Sequence, residues 1–421
     1  MIRSSNITLK YSNSIKRYEI GDFVSEYSNV CRNIIIYIFQ NGYINSDGSS
    51  FDIKRKQYNL NSNLDNEFLK QFDNGLFSQR MLQACGTQAS SIIRSCTEKT
   101  RKRKYVLSIL MKENRDYKKL QKLVDKVNIS VPDFKFINPQ IDSRFFDVKY
   151  TDGMFNGFIQ LRLFKGKSIR LPFKKHKRME KFELEGKLLN SIRLSSNFIS
   201  FSYNLPDIDK KINGEIVGAD QGIITTLTLS DGQITKKNNH GHDLKSIINI
   251  ICRKKKGSKN FKKAQSHREN YINWSINKLN FDNVKQLNLE HLFQIGKGTN
   301  KGVFLSSFTY TLIKEKLVSI SESKGFSILE VGNEFRSQRC NECGWTQKSN
   351  RKGKVIICKQ CGFSTDADLN ASLNLKEHGL PPVPKSVRKD KLNRSGFYWN
   401  LNGLMNLCGE PIVPHVQEIN D

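Results

Sequence analysis

Four cysteines and a small set of carboxylates have the residue types and spacing to do chemistry. Cys340 and Cys343 form one CxxC, Cys358 and Cys361 form another, and 14 residues separate them in CNECGWTQKSNRKGKVIICKQCG. Each pair presents two thiolates from a tight turn, and Gly344 and Gly362 follow to relieve the backbone. Four thiolates make a closed tetrahedral site, which suits structural zinc and leaves no open position for catalysis. The spacer is a residue short of the usual range for this pattern, but a hairpin between two knuckles is the part most tolerant of length. Unligated cysteines and an iron–sulfur cluster are the competing readings.

The carboxylates stand at the ends of expected elements. Asp220 lies in EIVGADQGI, an otherwise apolar strand where a carboxylate is costly to bury unless paired or metal-bound. Glu290 lies in LNLEHL, where Leu287 and Leu289 take one strand face and Asn288 and Glu290 the other. TDADLNASLNLKEHG reads as a helix begun by Thr365 or Asp366 and stopped by Gly379, with Pro381 beyond; it offers Asp366 and Asp368. Hard oxygen ligands on rigid elements suit two Mg²⁺ ions about 3.5–4 Å apart, which together activate a water and stabilise the leaving oxygen of a phosphodiester. Taken singly, each acid reads more readily as a cap, a surface charge or a structural ion pair.

These groups need a frame. Residues 5–20 alternate enough for one or two strands, and 22–130 turn helical. There Met81, Cys85, Ala89, Ile92 or Ile93, and Cys96 recur on one helix face and read as core. Residues 144–205 read as β, with DG and KGK turns and a short charged strand-like segment after KKHKR, forming a small antiparallel barrel or sheet that pairs with the first twenty residues. The helical block is then an insertion within a β domain. From 214 the chain alternates: a strand, a turn at Asp231-Gly232 and a second strand, then a long basic helical stretch over 243–279. A strand at 283–292, a Gly/Lys loop at 296–302, an amphipathic helix around 306–324 and a strand at 326–332 complete an α/β layer.

The 421 residues carry a formal net charge of +29, which concerns partners rather than fold and points to a polyanion, most simply nucleic acid. With 26 Phe and 13 Tyr the chain is not disordered. Its greasiest run, NIIIYIF at 33–39, is too short to span a bilayer, and no h-region opens the chain, so a cytoplasmic protein without a membrane partner is expected. Nine cysteines, five of them isolated, are not a disulfide framework. The basic clusters offer phosphate contacts: Lys102 and Arg103; Lys174 and Lys175; and Arg253, Lys254, Lys255, Lys256, Lys259 and Lys262. Tyr27, Phe145, Phe155 and Phe158 could stack on splayed bases, although single aromatics are more often core.

GADQGI, then LNLEHL, then the CxxC…CxxC ribbon, then DADLNASLNL, in that order over about 215–378, resemble the split RuvC nuclease domain of the TnpB proteins and of the miniature type V CRISPR effectors. RSQRCNECG and RKKKGSKNFKKA fit that family too; Gln221 after the first aspartate and the tail beyond the last motif depart from it. The resemblance implies an α+β multi-domain build. A β-barrel-like wedge (1–21 and 132–211) is interrupted by a helical recognition lobe (22–131). An RNase H-like RuvC domain (212–333, with its third motif at 366–378) carries a zinc ribbon (334–365), and a tail (379–421) is mobile or docks on RNA. It implies an RNA-guided DNA endonuclease with Asp220, Glu290 and Asp368 as ligands of Mg²⁺ and a structural Zn²⁺. Residues two apart on a helix point about 200° apart, so Asp366 is left as cap or alternative ligand. The implied partners are a guide RNA and target double-stranded DNA, with base pairing supplying specificity and the protein reading a short adjacent motif. One copy or a homodimer per guide, and a CRISPR or transposon origin for the guide, stay open. A catalytically silent RNA-guided regulator and a guide-independent zinc-ribbon accessory factor are the alternatives.

Overall fold

A computed structural model describes residues 1–41, 50–53, 56–59, 64–113, 117–126, 136–292, 310–332, 334–377, 379–383, 392 and 394–412. The Gly/Lys loop at 296–302 and the first residues of the helix expected from 306 lie outside them. The chain divides into two units, Met1–Pro206 and Asp207–Asp421. Together they give a mixed α/β fold, and among the described residues no helix is long and apolar enough to cross a membrane.

In the first unit β1 (Ile2–Thr8) leads into α1 (Ser14–Gln40), a hairpin of β2 (Ser50–Ile53) and β3 (Lys56–Asn59), and helices α2 (Asn66–Lys70), α3 (Gln79–Lys112) and α4 (Lys118–Lys126). β4 (Gln140–Asp142), β5 (Phe146–Tyr150), β6 (Gly157–Leu161) and β7 (Ile169–Phe173) follow. α5 (Lys177–Glu185), β8 (Lys187–Leu194) and β9 (Phe198–Asn204) close the unit. β1 pairs antiparallel with β9 along its whole length, from Ile2↔Asn204 to Thr8↔Phe198, in a sheet ordered β1-β9-β8-β4; β5-β6-β7 form a second antiparallel sheet.

The alternation read over 5–20 gives way at residue 14, where α1 begins. Asn13 caps the helix by accepting from Lys16 N–H at 2.9 Å. Ile20, Phe23, Tyr27, Ile34 and Ile38 then recur at helical spacing and are all buried. This longer period wins because it buries a full stripe with α3, whose Met81, Cys85, Ala89 and Ile93 are buried as expected; Ile92 and Cys96 are half-buried. The strand-like segment after KKHKR begins as a helix, α5, because Met179 and Phe182, three apart, bury one face, and continues as strand β8.

The second unit carries a sheet ordered β11-β10-β12-β13, built from β10 (Glu215–Asp220), β11 (Thr228–Leu229), β12 (Val284–Glu290) and β13 (Ser327–Val331). β10, β12 and β13 are parallel, and β11 is the antiparallel edge. The basic stretch at 243–279 is two helices, α6 (Leu244–Cys252) and α7 (Lys259–Ile276). They are separated by a turn in which Gly257 adopts φ +82°, and Ser258 caps α7 by accepting from Phe261 N–H at 3.1 Å. Arg253, Lys254, Lys255 and Lys256 therefore project from a turn. With α8 (Tyr310–Lys324) these helices cover the sheet face that holds Val217, Ala219, Leu287 and Leu289.

The opposite face, with Gly218, Asp220, Asn288 and Glu290, receives α9 (Ala367–Lys376). Before α9 come β14 (Trp345–Thr346) and a small sheet of β15 (Arg351–Lys352), β16 (Val355–Ile357) and β17 (Ser364–Asp366). Among the described residues of the tail, which reads as without clear periodicity at first, lie β18 (Phe397–Asn400) and β19 (Gly403–Met405). Its β18 pairs with β14, placing Tyr398 opposite Trp345 with ring centroids 4.9 Å apart. Alternating Phe397 and Trp399, both buried, supply the period that the full tail hides.

Candidate functional site

The cysteines converge. Cys340 Sγ lies 3.8 Å from Cys361 Sγ, and Cys343 Sγ lies 3.6 Å from Cys358 Sγ. A tetrahedral ion with bonds of about 2.3 Å requires sulfurs about 3.8 Å apart, so the spacing fits zinc. Among the described residues these four are the one set of three or more His, Cys, Asp or Glu donors gathered within 4.8 Å. The knuckles are backbone-built: Gly344 N–H donates to Cys340 O at 3.0 Å and Gly362 N–H to Cys358 O at 3.1 Å, with both glycines at positive φ. Burial pushes the Cys340 thiol up to about 11, so an ion is what would hold it as thiolate.

The carboxylates share one face. Asp220 ends β10 and Glu290 ends β12, both at the C-terminal edge of the parallel strands, and strand alternation turns both toward α9. Asp368 sits in the first turn of α9 and is buried. Asp366 is the N-cap: its Oδ1 accepts from Asp368 N–H at 2.9 Å and Leu369 N–H at 3.1 Å. Burial raises the Asp220 carboxyl to about 7, with Asp368 adding to the rise and Arg351 and Lys354 opposing it. Burial raises Glu290 to about 8, and Asp220 is the next contributor. The acids thus feel one another, although they are not gathered as tightly as the thiols.

Asp368 is held by cations, with Lys354 Nζ on Oδ2 and Arg351 Nη2 at 3.3 Å from Oδ1. Beside Asp220, Gln221 Oε1 is buried without a hydrogen-bond partner among the described residues. A buried acceptor left unpaired is costly. Two carboxyls pushed toward neutrality, with a third held by cations beside them, are hard oxygen donors of the kind a hydrated divalent cation takes, so Asp220, Glu290 and Asp368 are the residues that would hold one.

What positions α9 is a polar network that motif reading missed. Asn288, fully buried in β12, donates to Leu375 O at 3.0 Å and Lys376 O at 3.2 Å. Asn374 donates to Arg336 O at 2.9 Å and Arg339 O at 2.7 Å, and Asn370 to Arg339 O at 2.8 Å. Buried Arg339 reaches Asn374 Oδ1, Trp399 O at 2.7 Å and Glu377 at 2.9 Å. The Asn370/Asn374 repeat in NASLN, four apart on a helix, was the available signal.

The basic residues are spread over both units. Lys102 is exposed on α3, 3.9 Å from Glu98, and Arg103 is half-buried. Lys174 lies over the Tyr11 and Phe155 rings, and Arg170 lies 4.3 Å over Phe158, so Phe155 and Phe158 belong to a half-exposed aromatic and cationic patch. Tyr27 and Phe145 are core. Lys175 pairs with Glu183 at 2.5 Å and covers the Tyr150 ring. Arg253, Lys254, Lys255, Lys256, Lys259 and Lys262 are all exposed.

Fold and site together define a basic, two-unit α/β protein with half-buried carboxylates at parallel strand ends, a buried one on the helix beside them, and a four-cysteine knuckle pair. Residues 310–375 match the Cas12f1-like, TNB domain family model. The chain is 28% identical over 149 residues to the CRISPR-associated endodeoxyribonuclease Cas12f1 of Sulfoacidibacillus thermotolerans, covering 35% of this chain and 33% of that one. To the Cas12f1 of Syntrophomonas palmitatica it is 28% identical over 126 residues, 30% of this chain and 25% of that one. The chain thus spans a third or less of the curated relatives it matches. A cryo-EM structure of a Cas12f1-sgRNA-target DNA complex matches 89% of this chain and 98% of that one at 14% identity and TM-score 0.40. The mini-RNA-guided endonuclease CRISPR-Cas_phi3 matches 90% and 92% at 11% identity and TM-score 0.49. Over these stretches the chain is similar to the Cas12f1 proteins, most narrowly to their TNB domain.

Proposed function

We propose that the chain is an RNA-guided DNA endonuclease with a single metal-dependent site. The observation that carries the reading is the placement of Asp220 and Glu290 on one sheet face with Asp368 on the helix that packs against it; burial and then Asp368 raise Asp220, and burial and then Asp220 raise Glu290. The sequence relatives' name, endodeoxyribonuclease, supports the reaction class, and the +29 charge supports polyanionic partners. Two Mg²⁺ ions would supply the Lewis-acid charge that activates water and stabilises the leaving oxygen. Asp220, Glu290 and Asp368 act as holders, Asp366 fixes the start of the helix that presents Asp368, and the four cysteines hold a Zn²⁺ that is architectural.

Residues 1–21 with 132–211 act as the wedge, 22–131 as the recognition lobe, 212–333 with 366–378 as the RuvC-type domain and 334–365 as the ribbon. Guide RNA and target DNA are held through backbone phosphates by the exposed lysines and arginines, and base pairing selects the sequence. One site serving two strands cuts them in turn. Purified protein tests this: a defined RNA should co-purify, and Asp220→Ala should abolish cleavage while leaving target binding intact. Unchanged cleavage removes the site assignment, and absence of any bound RNA removes guide dependence.

A further inference from the structure

A cleft of about 420 Å³ opens in the second unit between α7 and the loop that precedes α6, a size typical of small-ligand pockets. Its helix wall is a stripe: His267, Asn270, Tyr271 and Trp274 recur at spacings of three and four, so they face one way. Its loop wall is Asn238 to His240, and that wall is preformed. Asn238 Oδ1 accepts from His240 N–H at 3.0 Å and His242 N–H at 2.9 Å, and Tyr271 Oη donates to Lys236 O at 3.0 Å. His242 closes edge-on over His267 with centroids 5.4 Å apart. Burial, with His242 and His240 nearby, holds His267 below its usual value, which leaves a neutral ring able to donate and accept.

The chemistry is an aromatic plane, exposed amides on Asn239 and Asn270, and a positive rim. Lys236, whose carbonyl holds Tyr271 Oη, and Lys263, one helical turn before His267, are exposed, and no carboxylate lines the cleft among the described residues. Aromatic platforms beside cations that track a phosphate backbone are how single strands are held. Ile234 bridges antiparallel to Thr228, which itself pairs with Asp220, so the loop continues past the sheet end where Asp220 stands. We propose that this cleft seats one unpaired nucleobase of a DNA single strand, stacked on the Trp274 indole and hydrogen-bonded at its edge by the Asn239 and Asn270 amides. The choice of DNA rests on the nuclease reading; the base-binding chemistry of the cleft does not.

Tryptophan emission tests it directly. The chain has three tryptophans, and Trp345 and Trp399 are each 2% exposed, so a contact quencher reports Trp274. The full-length protein is titrated with a mixed-sequence DNA hexamer, no divalent ion added, so that cleavage plays no part and its failure is read separately. Saturable quenching is expected, lost in Trp274→Phe, and absent with an abasic hexamer carrying the same phosphates. The double variant Asn239→Ala, Asn270→Ala, at exposed positions that spare the fold, should weaken binding about tenfold. No quenching, equal quenching by the abasic strand, or an unchanged affinity in the double variant overturns the pocket. An RNA hexamer that binds more tightly than DNA overturns the strand assignment.

Discussion

Replacing Asp220 by Asn should make the metal-free protein more stable at alkaline pH while ending its activity, and the size of the gain follows from burial. Asp220 is raised from its usual 3.8 to about 7, first by desolvation and then by Asp368. That is about three pH units at about 1.4 kcal/mol each, so keeping the carboxylate ionised inside the fold costs about 4 kcal/mol. The folded-state pKa lies above the unfolded one, which fixes the sign. Below about pH 4 both states hold the proton and the cost is nil. Between about 4 and 7 the unfolded chain releases a proton that the fold retains, so stability falls as pH rises; above about 7 the loss is complete. Asparagine has nearly the same shape and cannot ionise. Urea unfolding of magnesium-free protein at pH 5 and pH 8.5, with zinc retained, should show Asp220→Asn gaining about 1.7 kcal/mol at the lower pH and up to about 4 kcal/mol at the higher. Because Glu290 is raised partly by Asp220, its own release becomes easier in the variant, so the two contributions are not additive. A variant no more stable than wild type at pH 8.5 would show that the carboxylate is solvated, and the argument for a buried cation site would go with it.

Gly218→Ala should lower both stability and cleavage. An added Cβ would sit 1.9 Å from Ser372 O and 2.5 Å from Lys376 N, backbone atoms that cannot swing aside, so α9 must move; a drop of about 1–3 kcal/mol in unfolding free energy is expected, and a wild-type urea midpoint contradicts this packing. Removing zinc by chelation, or Cys358→Ser, should destabilise the ribbon and reduce cleavage together, read by metal content alongside thermal unfolding; a metal-free protein with native unfolding would show that the thiols hold nothing. Lys354→Met removes the cation seated on Asp368, so Mg²⁺ should stabilise the variant at lower concentration than wild type, and a higher Mg²⁺ requirement would show that Lys354 helps rather than competes.

What could be read from the sequence tracks how local the deciding force is. The strands ending in Asp220 and Glu290 are legible because one face is Val217, Ala219, Leu287 and Leu289, apolar positions two apart. Asp366 and Asp368 are legible as helix-start acids because capping is a short-range hydrogen bond. Residues 14–21 mislead because their local alternation is decided by burial against α3, some 60 residues later in the chain. The break between α6 and α7 turns on Gly257 and Ser258, which a count of basic residues passes over. Least legible are the long-range polar partners. Asn288 on α9, Arg339 on Trp399 and Lys354 on Asp368 each join distant segments, and no spacing rule records which polar residue a fold will bury.

Those partners explain why the ribbon and the carboxylates belong to one mechanical unit. β16 runs into the Cys358–Cys361 knuckle and β17 leaves it, β17 runs straight into α9 through the capping Asp366, and β16 pairs Val355 with Asp366. The hairpin turn carries Arg351 and Lys354, both on Asp368. Asn350 ties the two knuckles by donating to Trp345 O at 3.1 Å and accepting from Lys359 N–H at 3.0 Å, and the tail's Trp399 closes the far side through Gly344 and Arg339. An ion that holds Cys340, Cys343, Cys358 and Cys361 therefore also fixes where α9 starts. α9 in turn lies so close on Gly218 that a displacement of its start cannot be absorbed by sliding. An ion held by the four cysteines would thus set the position of Asp368 against Asp220 without touching either, which is why its loss should be felt at the carboxylates.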